Sequence, residues 1–234
     1  MKAIILAGGL GLRLREILKD IPKPMAPVAG RPFLEYLILQ LIRWNIKEII
    51  LSVGYMGNII KSYFSNGEKW GVKISYSPEK KPLGTGGALR MAAQKINDAQ
   101  FLVMNGDSFF DIDFNALIHF HRKNNALATM GLICIDDASR YGRVETNRNG
   151  KVVSFVEKGI KGKGAVNGGI YIFNHEIVDV IPSGKVSLET EVLPVLIGQS
   201  LYGMMVRSFF VDIGIPKDYL NLCKNSEKLI YIVN

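Results

Sequence analysis

Met1-Lys-Ala-Ile-Ile-Leu-Ala-Gly-Gly-Leu-Gly-Leu-Arg-Leu14, and after it Asp20-Ile-Pro-Lys-Pro-Met-Ala-Pro-Val-Ala-Gly-Arg-Pro32, is the stretch on which the reading of this chain turns. The apolar run over residues 2–7 predicts a buried strand. It delivers Gly8, Gly9 and Gly11 into a turn whose backbone N–H groups have no Cβ in front of them, so an anionic polyphosphate can approach closely. Arg13 follows the glycines directly and can grip phosphate through two donors. Lys23 stands between Pro22 and Pro24, which stiffen the backbone on both sides. For both cations the bland alternative is a solvated loop residue. Neither standard nucleotide fingerprint fits: no Lys-Ser/Thr pair follows the glycines as in a P-loop, and the glycine spacing is not that of a dinucleotide-binding turn.

Beyond this unit, apolar runs alternate with helix-period segments. Helices are predicted over 32–44, 56–64 and 84–96, and strands over 48–53, 72–77 and 101–104, the last stopping at Asn105-Gly106-Asp107. Such a βαβ series predicts an α/β fold with a mostly parallel, twisted sheet flanked by helices. Ligands in these sheets collect at the carboxyl ends of strands, where the glycine turn and Asp107 both lie. The second half is richer in β structure. Strands over 144–147 and 151–156 are joined through Arg148-Asn149-Gly150, a hairpin signal. Further strands are expected over 169–173 and 204–211, with helices around 175–180, 189–197 and 216–229.

The composition excludes several classes. With 48% hydrophobic and 21% charged residues in 234, the chain can bury a core and is not disordered. One domain over 1–234 is expected. Its net charge of +8 comes from lysines and arginines dispersed along the chain, so no nucleic-acid partner is expected and a mild attraction for phosphorylated substrates explains it equally well. The two cysteines, Cys134 and Cys223, have no metal-ligand or disulfide spacing. His119 and His121 read as surface or core residues. No membrane partner is expected, because no uncharged stretch is long enough to span a bilayer. The short apolar start runs straight into the glycine turn, unlike a signal peptide. A reduced cytoplasmic setting is the expectation.

Further motifs follow in order: Pro82-Leu-Gly-Thr-Gly-Gly-Ala-Leu89, Asn105-Gly-Asp107, Tyr141-Gly-Arg-Val-Glu145, Phe155-Val-Glu-Lys158, Asn167-Gly-Gly-Ile-Tyr171 and Asp212-Ile-Gly-Ile-Pro216. With the N-terminal unit, this order resembles the sugar-phosphate nucleotidyltransferases over nearly the whole chain. The sequence departs from that pattern at Leu12, where many relatives have Thr or Ser, and at Gly159, where Pro often follows the Glu-Lys pair. The resemblance implies the nucleotide-diphospho-sugar transferase fold, with a nucleotide-binding half of about 1–110 and a sugar-binding half of about 111–234.

It also implies a reaction. A sugar 1-phosphate oxygen attacks the α-phosphorus of a nucleoside triphosphate and expels pyrophosphate, so two polyanions must be brought together and electrostatics and positioning dominate. Mg2+ held by carboxylates and phosphate oxygens is the usual solution. Asp107 and Asp212 are the candidate ligands, and with Arg13 and Lys23 they form the expected catalytic set. Read without the resemblance, Asn-Gly-Asp is an ordinary turn and Asp212 a helix cap for the segment beginning at Pro216.

For the nucleotide, the candidates are Leu6, Ala7, Gly8, Gly9, Gly11, Glu79, Gly84, Thr85, Asn105 and Gly106. Glu79 could accept the paired N–H donors of guanine, and Thr85 has the alternative of capping a helix. For the sugar phosphate they are Gly142, Glu157, Lys158, Asn167 and Lys185. Within the family the resemblance runs toward guanylyltransferases, implying GTP as donor and D-glycero-α-D-manno-heptose 1-phosphate as acceptor. Enzymes for mannose 1-phosphate and N-acetylmuramate 1-phosphate are its neighbours. Longer members carry a β-helix where this sequence ends. From another class, a catalytically silent nucleotide-sugar sensor is disfavoured by the intact Arg13, Lys23, Asp107 and Asp212. Homo-oligomerisation is left open.

Overall fold

The computed structural model describes residues 1–156, 159 and 161–233. At its centre is β1 (Lys2–Leu6), whose period-2 alternation sends Ala3 and Ile5 into one apolar layer and Ile4 into the other, all three fully buried. There follow β2 (Pro27–Val28) and β3 (Arg31–Pro32), a small antiparallel pair, then α1 (Phe33–Arg43), β4 (Glu48–Val53), α2 (Gly57–Phe64), β5 (Lys73–Pro78), α3 (Gly84–Ala93) and β6 (Gln100–Asn105). The expected βαβ series is present, and Pro32 stands as the N-cap of α1. The second half contributes β7 (Ser108–Phe110), α4 (Phe114–Lys123), β8 (Ala128–Ile135), β9 (Arg143–Thr146), β10 (Val152–Val156), β11 (Gly164–Asn174), α5 (Ile177–Val180), β12 (Leu201–Val206), β13 (Phe210–Asp212), α6 (Pro216–Lys224) and α7 (Glu227–Val233).

Seven strands form one sheet in the order β12-β8-β11-β6-β1-β4-β5. Its pairs are parallel except where β11 meets β6 and β8, so β11 alone runs against the rest. Both halves of the chain feed this sheet. One face is covered by α1, α2, α4, α6 and α7, and the other by α3, α5, the 188–196 turns and the β9–β10 hairpin. His121 is buried on α4, bonded to Thr129 and Asn174, and its imidazole is held below its ordinary pKa by burial; His119 is exposed.

Three second-half expectations are corrected. The strand expected over 204–211 is two strands, because the chain bends where Ser208 Oγ and the Phe209 carbonyl both bond the Asp111 backbone. The helix expected over 189–197 is a turn of π-helix at Leu188–Val192 followed by a 3-10 turn at Leu193–Leu196, since Pro194 removes a helical donor. The helix over 216–229 ends at Lys224 and restarts at Glu227, with Asn225 as the cap between.

Candidate active site

Two adjoining cavities open where β1 and β6 end. The larger, about 480 Å3, is lined by Leu6, Ala7, Gly8, Gly9 and Gly11, by Glu79, Gly84 and Thr85, and by Asn105 and Gly106, which are all ten residues expected at a nucleotide. The smaller, about 350 Å3, is bordered by Arg13, Lys23, Asp107 and Asp212 together with Leu10, Gly11, Leu12 and Gly214. The two share Leu10, Gly11, Lys23 and Asp107. A ligand filling both would bend past Asp107.

The larger cavity owes its floor to close backbone approach. Gly106 N donates to the Leu6 carbonyl at 2.9 Å, and a Cβ on Gly106 would lie 2.6 Å from that oxygen, so only glycine lets the end of β6 lie against β1. Glu79 is half-buried; its Oε2 accepts from Leu83 N at 2.9 Å, and burial raises its pKa while that bond opposes the rise. Thr85 does not cap α3. The N-cap is Leu83, and the Thr85 hydroxyl instead donates to Glu189 at 2.6 Å and accepts from Leu188 N at 2.9 Å, tying the start of α3 to the second half.

The smaller cavity owes its carboxylates to a long-range pairing. β7 pairs antiparallel with β13, matching Ser108 to Asp212, and Ile213 N donates to the Asp107 carbonyl at 2.9 Å. Asp107 and Asp212 are therefore neighbours in space. Lys23 Nζ lies 2.6 Å from Asp107 Oδ2, with only 13% of the lysine side chain exposed. Asp212 accepts from Gly214 N at 2.5 Å and faces Arg140 Nη2 at 3.9 Å. It does not cap α6, whose N-cap is Ile215. Burial raises the Asp212 pKa first, and the charge of Asp107 raises it further, against Lys23, Gly214 N and Arg140. Two carboxylates that repel across one cleft suit a hard divalent cation. Among the described residues there is no cluster of three or more metal-binding side chains.

The family model described as nucleotidyl transferase matches residues 2–228. The chain belongs to the nucleotidyl transferase family. It is 40% identical over 232 residues to the D-glycero-alpha-D-manno-heptose 1-phosphate guanylyltransferase of Aneurinibacillus thermoaerophilus, covering 98% of this chain and 100% of that protein. To the protein of the same name from Campylobacter jejuni it is 41% identical over 227 residues, covering 97% and 100%. The crystal structure of HddC from Yersinia pseudotuberculosis complexed with GMP-PN superposes with a TM-score of 0.86 at 34% identity, covering 97% of this chain and 99% of that one.

In this nucleotidyl transferase the expected sugar-side residues are more scattered. Lys185 lines the larger cavity, beside the nucleotide candidates. Gly142 takes a positive φ of 75° in the loop before β9. Asn167 sits at a bulge of β11, where it donates to the Tyr171 hydroxyl at 2.7 Å and accepts from Gly169 N at 3.0 Å. Glu157 and Lys158 lie outside the described residues. Leu12 is 62% exposed and borders the smaller cavity.

Sequence reasoning missed Glu189, Arg140, Tyr141 and Tyr171. Tyr141 lies beside Asp212, and burial followed by the Asp212 charge raises its pKa. Tyr171 is fully buried beneath the site, and its hydroxyl accepts from the Asn167 side chain. Both tyrosines stood inside quoted motifs, at Tyr141-Gly and Ile-Tyr171, and those positions were the available signal.

Proposed function

We propose that this nucleotidyl transferase joins the guanylyl group of GTP to the phosphate of D-glycero-α-D-manno-heptose 1-phosphate and releases pyrophosphate. The observation that carries the reading is the shared wall of the two cavities: Lys23 and Asp107 border both, so a nucleoside seated in the larger would bring its phosphates to the junction, beside Arg13 in the smaller. The names of the relatives support the guanine base and the heptose. One continuous sheet fed by both halves supports a single catalytic domain.

In this reading the glycine turn and Arg13 bind the triphosphate, and Lys23 steadies phosphate charge at the junction. Asp107 and Asp212 would hold Mg2+, which supplies charge neutralisation between the two anions. Glu79, fixed by Leu83 N, presents a carboxylate to the base, and Asn167, fixed through Tyr171, stands on the sugar side. The nucleoside triphosphate donor favours a cytoplasmic setting. No described helix is long and apolar enough to cross a membrane.

The test is pyrophosphate release measured across GTP, ATP, UTP and dTTP with a panel of sugar 1-phosphates and Mg2+. Turnover is expected with GTP and the heptose phosphate. A preference for UTP or dTTP would overturn the base assignment, and no turnover with any pair would overturn the reaction.

A further inference from the structure

The glycine turn has few ties of its own. Ala7 N is anchored to Ser52 O at 2.8 Å and Tyr55 N reaches Gly8 O at 3.4 Å, while a Cβ on Gly9 would meet nothing within 4 Å. Leu10 is 42% exposed although it borders both cavities. At Leu10 a side chain intervenes. Arg15 Nε donates to the Leu10 carbonyl at 3.1 Å, and its guanidinium carbon lies 4.1 Å from the centre of the Tyr55 ring. Tyr55 thus braces the turn twice, through its backbone at Gly8 and through the arginine stacked on its ring.

The Leu10–Gly11 peptide makes this contact consequential. In a trans peptide the carbonyl and the following N–H point in opposite directions, so holding Leu10 O toward Arg15 fixes the Gly11 N–H away from it. A flip of that peptide would exchange a donor for an acceptor oxygen at the turn and repel a phosphate. Arg15 differs in this from Arg13, which borders the smaller cavity directly.

We propose that Arg15, held between the Leu10 carbonyl and the Tyr55 ring, is a positioning residue that keeps the glycine turn in its phosphate-accepting conformation. The inference rests on the reading that this turn takes a nucleoside triphosphate. Arg15 acts through the turn and needs no contact with the ligand. The planar guanidinium lays its face on the ring while donating in its plane to the carbonyl, a stacked geometry that a lysine ammonium does not reproduce.

Calorimetric titration with GTP and Mg2+, together with steady-state kinetics, tests it. Arg15→Ala and Arg15→Lys are expected to raise the Kd for GTP about tenfold, the scale of one lost charge-assisted hydrogen bond, with the KM for the sugar phosphate unmoved. Tyr55→Ala should match Arg15→Ala, and Tyr55→Phe, which keeps the ring, should recover the affinity. The double variant Arg15→Ala/Tyr55→Ala should bind no worse than either single one, because both remove the same clamp. Additive losses, or GTP affinity in Arg15→Ala equal to that of an active wild type, would overturn the clamp alone. A wild type that bound no nucleoside triphosphate would overturn the parent reading and this inference with it. Melting curves exclude unfolding, and should one variant fail to fold, the others carry the test.

Discussion

The larger cavity is walled mainly by backbone from the first half of the chain, whereas the smaller cleft is walled by charge that only long-range pairing assembles. Leu6, Ala7, Gly8, Gly9 and Gly11 come from one strand end, and Asn105 and Gly106 from the strand beside it. Lys23, Asp107, Asp212 and Arg140 come from distant segments and neutralise one another at 2.6 Å and 3.9 Å. Change in the first region should therefore act through space and shape. Change in the second should act on rate, and can even favour the fold, because like charges are being forced together.

The largest effect should separate these two modes at the carboxylates. Asp107→Asn and Asp212→Asn are each expected to lower kcat at least ~100-fold, the scale of losing one main electrostatic stabiliser. Asp212 has its pKa raised in the fold, so its protonated form stabilises the native state at acid pH, and this contribution is lost as pH rises through the raised value. Metal-free Asp212→Asn should accordingly melt above wild type at neutral pH, and Mg2+ should raise the melting temperature of wild type more than that of the variant. Near-normal turnover in either variant would break the assignment.

Next in size come the cations, which the structure distinguishes. Arg13 is exposed, so Arg13→Ala should fold with an unchanged melting temperature while losing roughly 10- to 100-fold in kcat/KM for GTP. Lys23 is mostly buried and neutralises Asp107, so Lys23→Ala should lose activity and also melt lower. Equal melting temperatures for the two would show that the half-buried Lys23–Asp107 pair does not matter to the fold.

The backbone wall predicts a smaller, steric effect. A Cβ on Gly106 would stand 2.6 Å from the Leu6 carbonyl, so Gly106→Ala should cost about 1–3 kcal/mol of stability and loosen GTP binding. A Cβ on Gly9 has open space, and Gly9→Ala should melt like wild type. If it also bound GTP unchanged, the turn would not lie against the phosphates.

The same contrast explains what was legible in the sequence. The strand-turn unit and the βαβ alternation depend on local chain geometry, whereas nucleotide candidates such as Gly84 and Thr85 came through the order of motifs, and the structure gathers all ten candidates at one cavity. The meeting of Asp107 with Asp212 depends on β7, three residues too short to stand out in the pattern, and was reachable only through motif order. Thr85 and Asp212 were each open to a helix-cap alternative because capping residues and site residues share side-chain chemistry. The partner of Thr85, Glu189, is a property of the folded second half, whereas Asp212 closes a local turn onto Gly214 N. Glu189 carried no signal at all, since one carboxylate in an irregular segment has no period.

The finest distinction is between sugars. The heptose exceeds mannose by one carbon and one hydroxyl at the C6 end, while the hydroxyls on the ring are common to both. A pocket with room for the extra group gains only modest discrimination, so a preference of about tenfold in kcat/KM for the heptose phosphate over mannose 1-phosphate is expected with GTP. Asn167 is fixed at the β11 bulge by Tyr171 and by Gly169 N, a rigid seat suited to reading shared hydroxyls. Asn167→Ala should thus lower kcat/KM for both sugars by a similar factor and leave their ratio alone. A side-by-side steady-state comparison decides the matter. A clear preference for mannose 1-phosphate would refute the heptose while leaving the guanylyl transfer in place, and a ratio that moved with Asn167 would shift the source of discrimination from room at C6 to this amide.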